Sequence, residues 1–286
     1  MTVLEAIQKS SDFLAKKNVE SPRLQTELLL AHLLKLPRMK LYLNFGRVLT
    51  PAETDSLREF VKRRGQHEPL QHITSSTSFC GFEIGVNRHA LVPRPETELL
   101  AELGWEFLST LNHQLSTALD FGTGTGCIAI ALTAKCQSTK IIALDVSPEA
   151  LALARQNASA NKVTERIEFL LGDGIATLPK DESFDLIISN PPYSPSAEIA
   201  TLQPEVRDFD PRAALDGGAD GLDFYRKLAR EAKPFLKPDG KIMLEFGDGQ
   251  AEAVKDIFKT QKWIVEAVKE DYSHRARILI VKHNNF

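Results

Sequence analysis

Four consecutive residues, Asn190-Pro191-Pro192-Tyr193, combine groups suited to holding a planar NH2 group. An amide nitrogen is a poor nucleophile because its lone pair is delocalised. It reacts only when aimed in line at an activated electrophile, such as the methyl carbon of a sulfonium. The Asn190 side-chain oxygen and the Pro191 carbonyl can each accept one N–H. Two acceptors at fixed positions orient the nitrogen and raise its electron density. The prolines stiffen the loop, Pro192 included, and Tyr193 offers a flat face and a hydroxyl to pack around the planar group. Taken alone, the tetrapeptide suits a glutamine amide and equally the exocyclic amine of adenine or guanine.

A second group of residues suits a nucleoside. Gly122, Thr123, Gly124, Thr125 and Gly126 follow an apolar run and precede a helical stretch. Alternate glycines let the backbone turn sharply and let a ligand approach without meeting a Cβ. A dinucleotide fingerprint would place glycine at position 127, where this chain has Cys127, so a dehydrogenase is disfavoured. Asp145 ends the next apolar run, where a carboxylate can accept from both hydroxyls of a ribose. Asp173, followed by Gly174, ends the one after and is placed to meet an adenine edge. Glycine loop, Asp145 and Asp173 at successive strand ends point to an adenosine ligand.

These residues need a scaffold that brings strand ends together. Apolar runs at 118–121, 140–146, 167–171, 184–189 and 241–246 alternate with helical stretches such as 148–160. That alternation predicts a buried parallel sheet with ligands at its carboxyl edge. The runs 264–268 and 278–281 flank Asp271-Tyr272-Ser273-His274 with no room for a crossover helix, which predicts an antiparallel hairpin at the sheet's edge. Residues 77–92, with Phe79, Phe82, Ile84 and Val86 among glycines, predict a β-hairpin joining two domains.

The first 75 or so residues read as helices. Thr2 caps one carrying Val3, Ile7 and Leu14. Ser21-Pro22 opens a second with an apolar stripe of Leu24, Leu28 and Leu29. Thr50-Pro51-Ala52-Glu53 is a capping box for a third through Leu57, Phe60 and Val61. After the hairpin, the acidic run in Pro93-Arg94-Pro95-Glu96-Thr97-Glu98 opens a further helix through Leu99, Leu100 and Leu103.

Composition narrows the function further. The chain has 286 residues and a formal net charge of −3, so it lacks the basic excess of a protein that grips long nucleic acid. Lys62-Arg63-Arg64 forms a local basic cluster, read as a solvated helix face. Cys80, Cys127 and Cys136 are odd in number with no Cys-x-x-Cys, and the histidines are scattered. A disulfide framework and a metal site are therefore not expected. Glu5 and Lys9 interrupt the N-terminus too early for a signal-peptide core, and no stretch approaches the ~20 apolar residues of a membrane span. A soluble, cytoplasmic protein is expected.

The chain resembles the peptide chain release factor glutamine methyltransferases, the HemK/PrmC family. The resemblance covers nearly the whole sequence. It rests on Glu68-Pro69-Leu70-Gln71-His72-Ile73-Thr74, on Leu91-Val92-Pro93-Arg94-Pro95-Glu96-Thr97-Glu98 and on the loop from Asp120 to Gly126. It continues through Ser189-Asn190-Pro191-Pro192-Tyr193, Asp210-Pro211-Arg212-Ala213-Ala214-Leu215 and Asp220-Gly221-Leu222-Asp223-Phe224-Tyr225, with Glu245, Gly247 and Gln250 later.

The resemblance implies an α/β fold: a seven-stranded class I, Rossmann-like methyltransferase domain with an antiparallel C-terminal hairpin, preceded by a small helical domain. It implies a substrate-recognition domain at 1–76, a hairpin linker at 77–92 and the methyltransferase domain at 93–286. It also implies methyl transfer from S-adenosylmethionine to the glutamine of the Gly-Gly-Gln loop of class 1 release factors, leaving S-adenosylhomocysteine. Gly122, Thr123, Gly124, Thr125, Gly126, Asp145, Asp173, Gly174 and Asn190 would bind the cofactor. Asn190, Pro191, Pro192 and Tyr193 would bind the amide, with Asn190, Pro191 and Tyr193 acting in catalysis. No metal, membrane or stable nucleic-acid partner is implied. Three positions depart from the family's pattern: Ser75 and His274 stand where glycine is usual, and Gly174 where a larger residue often covers the adenine. The competing readings are a nucleic-acid N-methyltransferase, a methyltransferase acting on a ribosomal-protein glutamine, and a non-enzymatic cofactor-binding module.

Overall fold

The computed structural model describes residues 1–111 and 115–283. The chain divides into two compact units, residues 1–76 with 203–209, and residues 77–202 with 210–286.

In the first unit, helices Val3–Lys16, Pro22–Leu34, Pro51–Arg64 and Leu70–Thr74 surround an apolar core that includes Ile7, Leu14, Leu29, Leu30, Leu57 and Ile73. Thr2 and Thr50 cap their helices, and Glu5 and Glu53 bond back to the cap backbone, completing two capping boxes. Ser21 does not cap. Its backbone is left-handed at φ 47° and its side chain makes no cap bond, so Pro22 alone marks the start. The apolar stripe is also shifted. Leu24 is 40% exposed, whereas Leu29 and Leu30 are fully buried beside Thr26 and Glu27. Burial pushes the Glu27 carboxyl up, but hydrogen bonds donated by Arg23, Tyr42 and Arg38 outweigh it and hold its pKa below the ordinary value.

The basic cluster is not a solvated face. Lys62 is exposed, but Arg63 donates to both oxygens of Glu68. Arg64 is buried, and donates to Gln25 Oε1, the Glu68 carbonyl and the Glu205 carboxylate. Glu205 lies in the short helix Pro204–Arg207, part of the 203–209 segment that packs within this unit.

The hairpin strands β1 (Ser76–Phe79) and β2 (Phe82–Gly85) come next. Phe79 and Ile84 are buried in the second unit's core, so the predicted joint is part of that unit's packing. Asn157 fastens it: its side chain exchanges two hydrogen bonds with the Gly85 backbone and gives a third to the Thr125 carbonyl.

The main sheet has seven strands among the described residues: β3 (Ser116–Phe121), β4 (Thr139–Asp145), β5 (Ile167–Leu171), β6 (Phe184–Ser189), β7 (Leu236–Glu245), β8 (Ile264–Glu270) and β9 (Ala276–Lys282). Their order is β5-β4-β3-β6-β7-β9-β8. The first five are parallel, and β9 runs antiparallel between β7 and the edge strand β8, as the C-terminal pattern predicts. Strand β7 begins at Leu236, earlier than the apolar run, and passes through Pro238 and Gly240 beside an irregularity in β6. Helices Pro95–Thr110, Cys127–Lys135 and Pro148–Ala160 cover one face, and helices Asp223–Glu231 and Ala251–Thr260 the other. Both faces being covered explains why the parallel strands read as unbroken apolar runs. The three cysteines are free thiols, and no described helix is long and apolar enough to cross a membrane.

Two of the departures from the family's pattern share one backbone feature. Ser75, which ends helix Leu70–Thr74, has φ 63°, and His274, in the turn between β8 and β9, has φ 59°. A side chain in this left-handed region costs about 1–2 kcal/mol, whereas glycine's extra freedom when unfolded costs about 0.5–1 kcal/mol. Ser75→Gly and His274→Gly should therefore each stabilise the protein, by about 0.5–1 kcal/mol. Urea unfolding midpoints check this, and a lowered midpoint would mean that the native side chains contribute more than the strain removes.

Candidate active site

Strands β3 and β6 are neighbours, but the chain leaves them in opposite directions, from β3 to β4 and from β6 to β7. A crevice forms where the strand order reverses in this way. A cavity of about 370 Å³ opens there, lined by the segments that follow β3, β4, β5 and β6. That volume suits a small ligand such as a nucleoside derivative.

The glycine loop turns as the sequence predicts, with φ of 75°, 54° and 81° at Gly122, Gly124 and Gly126. The three do different jobs. A Cβ added at Gly122 would meet nothing within 4 Å, and Gly122, Thr123, Gly124 and Thr125 all line the cavity. Gly126 does not line it. A Cβ there would lie 3.1 Å from the Ala154 Cβ, so this glycine lets two helices pack closely. Below the loop, the Asp120 carboxylate accepts from the Thr123 hydroxyl (2.6 Å) and the Ala129 N–H (3.1 Å). Burial pushes its pKa up to about 7.

Asp145 stands at the end of β4 and lines the cavity. One of its oxygens accepts from the Gly124 N–H (2.8 Å) and the other from the Ser147 N–H (2.9 Å). An ionised carboxylate has about four lone-pair sites, so about two remain for a ligand's hydroxyls. Next to it Val146, 57% exposed, lines the cavity with an apolar side chain. Phe224 lines another part, its ring 4.7 Å from that of Phe121.

Asp173 and Gly174 also line the cavity, though the Asp173 side chain is 85% exposed. It pairs with Lys227, whose ammonium donates to both the Asp173 carbonyl and carboxylate.

The tetrapeptide divides. Asn190 and Pro192 line the cavity, while Pro191 and Tyr193 are not among its lining residues. Pro191 is buried, and the Tyr193 ring packs with the core beneath the sheet and against Gly247. Burial pushes the Tyr193 phenol up to about 12, which keeps it neutral, and its carbonyl accepts from the Gln250 side chain. The Tyr193 ring is partly buried and faces the core rather than the cavity lining. The ring braces the loop from behind, because aromatic area is better buried in the core than left at a cavity mouth.

Asn190 is fixed by residues that its own loop does not reveal. Its Nδ2 donates to the Thr97 hydroxyl (3.0 Å), and the Thr97 hydroxyl donates to Glu245 Oε2 (2.7 Å). Thr97 sits in the first turn of helix Pro95–Thr110 and Glu245 ends β7. Both are buried, and burial pushes the Glu245 carboxyl up to about 7. Nearby, Arg94 donates to the buried Asp210 carboxylate (2.6 Å), tying the Pro93–Glu98 motif to the start of the Asp210–Leu215 motif. Arg94 and Pro211 line the same cavity. The signal for these residues was the motif itself, which marked the segments without revealing their partners. No group of His, Cys, Asp and Glu suited to a metal ion occurs among the described residues.

Comparison with known proteins agrees with this architecture. Residues 5–74 match the family model described as the PrmC N-terminal domain, and residues 104–203 the methyltransferase small domain. The chain is 43% identical over 257 residues to a release factor glutamine methyltransferase of Geobacter sulfurreducens, covering 90% of this chain and 88% of that protein. It is 41% identical to the protein of the same name from Chlorobaculum tepidum, covering 95% and 94%. Among solved structures, a methyltransferase from Pyrococcus furiosus superposes with a TM-score of 0.53 at 23% identity, covering 77% of this chain and 97% of that one, which speaks to the fold. With these matches spanning both units, the chain belongs to the release factor glutamine methyltransferase family.

Proposed function

We propose that this chain transfers a methyl group from S-adenosylmethionine to the side-chain N5 of the glutamine in the Gly-Gly-Gln motif of class 1 peptide chain release factors. The observation that carries the reading is the Asn190 carboxamide. It lines the same cavity as the glycine loop and Asp145, and its nitrogen is taken by Thr97, which leaves its oxygen to accept.

The cavity's residues suit the cofactor. Asp145 has lone pairs to spare for two ribose hydroxyls. Gly122 and Gly124 allow close approach of the backbone. Val146 and Phe224 offer apolar walls, and Asp173 and Gly174 border the adenine end. When bound, S-adenosylmethionine supplies an electrophilic methyl on a sulfonium, and S-adenosylhomocysteine is the product. Asn190 Oδ1, at the cavity wall, accepts one N–H bond of the substrate amide, and the backbone carbonyl of the otherwise buried Pro191 accepts the other, so that together they orient its nitrogen. As the methyl arrives, positive charge grows on nitrogen and the bond to Asn190 strengthens. No general base is required, since the methylated nitrogen can release its proton to water. The first unit carries no chemical motif and is assigned to recognition of the whole factor. Its exposed large apolar side chains include Leu43 (77%) and Met39 (66%), both on the 3₁₀ helix Arg38–Asn44.

Four experiments test this reading. Labelled S-adenosylmethionine offered with release factor, ribosomal protein, tRNA and DNA should methylate the release factor alone. Asn190→Ala should lower single-turnover methylation by roughly 10²–10³, by analogy with loss of one preorganised polar partner. Preferred transfer to nucleic acid, or a variant within about threefold of wild type, would overturn the assignment. Asp145→Ala should weaken cofactor binding roughly 10- to 150-fold by calorimetry, because charge-assisted bonds are lost. Unchanged affinity in a folded variant would move the ribose elsewhere. Leu43→Glu should raise KM for the intact factor roughly tenfold and leave kcat and cofactor affinity alone. An unaltered KM would mean that this helix makes no contact with the factor.

A further inference from the structure

We propose that Thr97 and Glu245 are positioning residues that decide which end of the Asn190 carboxamide faces the substrate, with the ionised Glu245 selecting the oxygen. The proposal rests on the function proposed above and deepens it.

The argument is one of hydrogen-bond polarity. A threonine hydroxyl has one proton to give and two lone pairs. The Thr97 Oγ1 stands 2.7 Å from Glu245 Oε2 and 3.0 Å from Asn190 Nδ2. An ionised carboxylate only accepts, so the Thr97 proton must go to Glu245. Thr97 then has only lone pairs to offer Asn190, and only the NH2 end of the carboxamide can use them. The oxygen is turned the other way, where it can accept from a substrate amide.

Protonation of Glu245 removes that selection. A carboxylic acid can donate to Thr97, which frees the Thr97 proton to bond the carboxamide oxygen. Asn190 can then rotate by half a turn about its terminal bond with no hydrogen bond lost. It would present NH2 to the NH2 of the substrate, donor against donor. The low dielectric around these buried groups makes such a mismatch expensive. One proton on Glu245, a residue that touches no substrate, thus reverses the polarity of the group that does.

The surroundings set where this occurs. Burial drives the Glu245 carboxyl up to about 7. Arg277 on β9, and Arg94 just before helix Pro95–Thr110, oppose the rise, while Glu96 on that helix adds to it. The Tyr193 and Tyr225 phenols also lie within its electrostatic reach, and their pKa values are raised, so both stay neutral. A raised pKa means that Glu245 is protonated below about 7 and ionised above it. Turnover should therefore rise with pH through about 7 and level off.

Single-turnover methylation of release factor under saturating conditions, measured against pH, tests the idea. Wild type should show an acid limb near pH 7. Glu245→Gln, which has no proton to gain, should turn over more slowly and lack that limb. Thr97→Val should fall about tenfold or more in turnover above pH 7, the loss expected of one well-placed hydrogen bond, with little change in KM and no acid limb. Thr97→Ser should recover most of that loss. Cofactor affinity within about twofold of wild type certifies each variant as folded. The NH2 resonance of Asn190, assigned by its disappearance in Asn190→Asp, gives a readout independent of any acceptor. It should shift with a midpoint near pH 7 in wild type and not in Glu245→Gln. If wild type methylates no release factor, the functional reading fails while the resonance still tests the relay. A Thr97→Val enzyme within about threefold of wild type, an acid limb retained in Glu245→Gln, or an Asn190 resonance indifferent to pH would overturn the proposal.

Discussion

Two strand ends meet at the crevice. Strand β3 stops at Phe121 and β6 at Ser189, and the buried Ser189 hydroxyl donates to the Phe121 carbonyl at 2.5 Å. Behind that bond the strands pair in parallel, with Ala118 opposite Leu186, Leu119 opposite Ile187 and Asp120 opposite Ile188. Side chains alternate along a strand, so a slip of one residue would turn every one of them to the other face. The covered faces forbid that slip, because Leu186 and Ile188 belong to one core and Leu119 and Ile187 to the other. The next residues along, Gly122 and Asn190, therefore leave the sheet side by side. One begins the loop suited to a nucleoside and the other the loop suited to an amide.

Buried acids hold both loops from beneath. Asp120 gathers Thr123 and Ala129 under the glycine loop, and Glu245 holds Thr97, which holds Asn190. Burial raises both carboxyls to about 7. Burying a carboxyl is costly unless it is hydrogen-bonded, and here the bonds go to groups whose orientation matters. The ligand-facing atoms are thereby left unspent. Asp145 keeps lone pairs beyond those used by Gly124 and Ser147, and Asn190 keeps its oxygen. Preorganisation in this site consists of satisfying the back of each functional group so that only its front remains.

The features legible in the sequence are those that depend on near neighbours. The cap at Thr2, the capping box at Thr50, the glycine loop and the alternation of strand with helix are short-range patterns, and the structure follows them. The resemblance adds what no periodicity carries, the expectation that Asn190–Tyr193 is the amide loop. Legibility fails where partners lie far apart in the chain. Arg64 reads as one residue of a solvated basic run, yet it is buried against Glu205, 141 positions away. Thr97 read as part of a helix start, and its bonds reach 93 positions to Asn190 and 148 to Glu245. Tyr193 shows a related limit. Four adjacent residues look like one surface, but a turn sends Asn190 and Pro192 to the cavity and Tyr193 to the core. Ser21 shows the limit even for local signals, because a left-handed backbone cancels a good capping residue.

The departure at Gly174 shows how a missing side chain can be replaced from elsewhere in the fold. Its φ of 112° is accessible mainly to glycine, so a larger residue would need a different turn here. A Cβ built on Gly174 would come within 2.7 Å of Lys227 Nζ and 2.8 Å of its Cε. Lys227 thus occupies the space that a side chain at 174 would take. Its ammonium is anchored by the Asp173 carbonyl at 3.1 Å and carboxylate at 3.2 Å, and the residue itself lines the cavity. Position 174 taken alone would leave the cavity wall open here. In the folded chain that wall is closed by a lysine from helix Asp223–Glu231, with a charged tip turned to Asp173 and an aliphatic stem over the glycine. A lysine combines those two roles readily, since its stem covers apolar surface while its head stays with water or a carboxylate. Gly174 and Lys227 are one structural unit, and the tolerance of the first for lacking a side chain depends on the second.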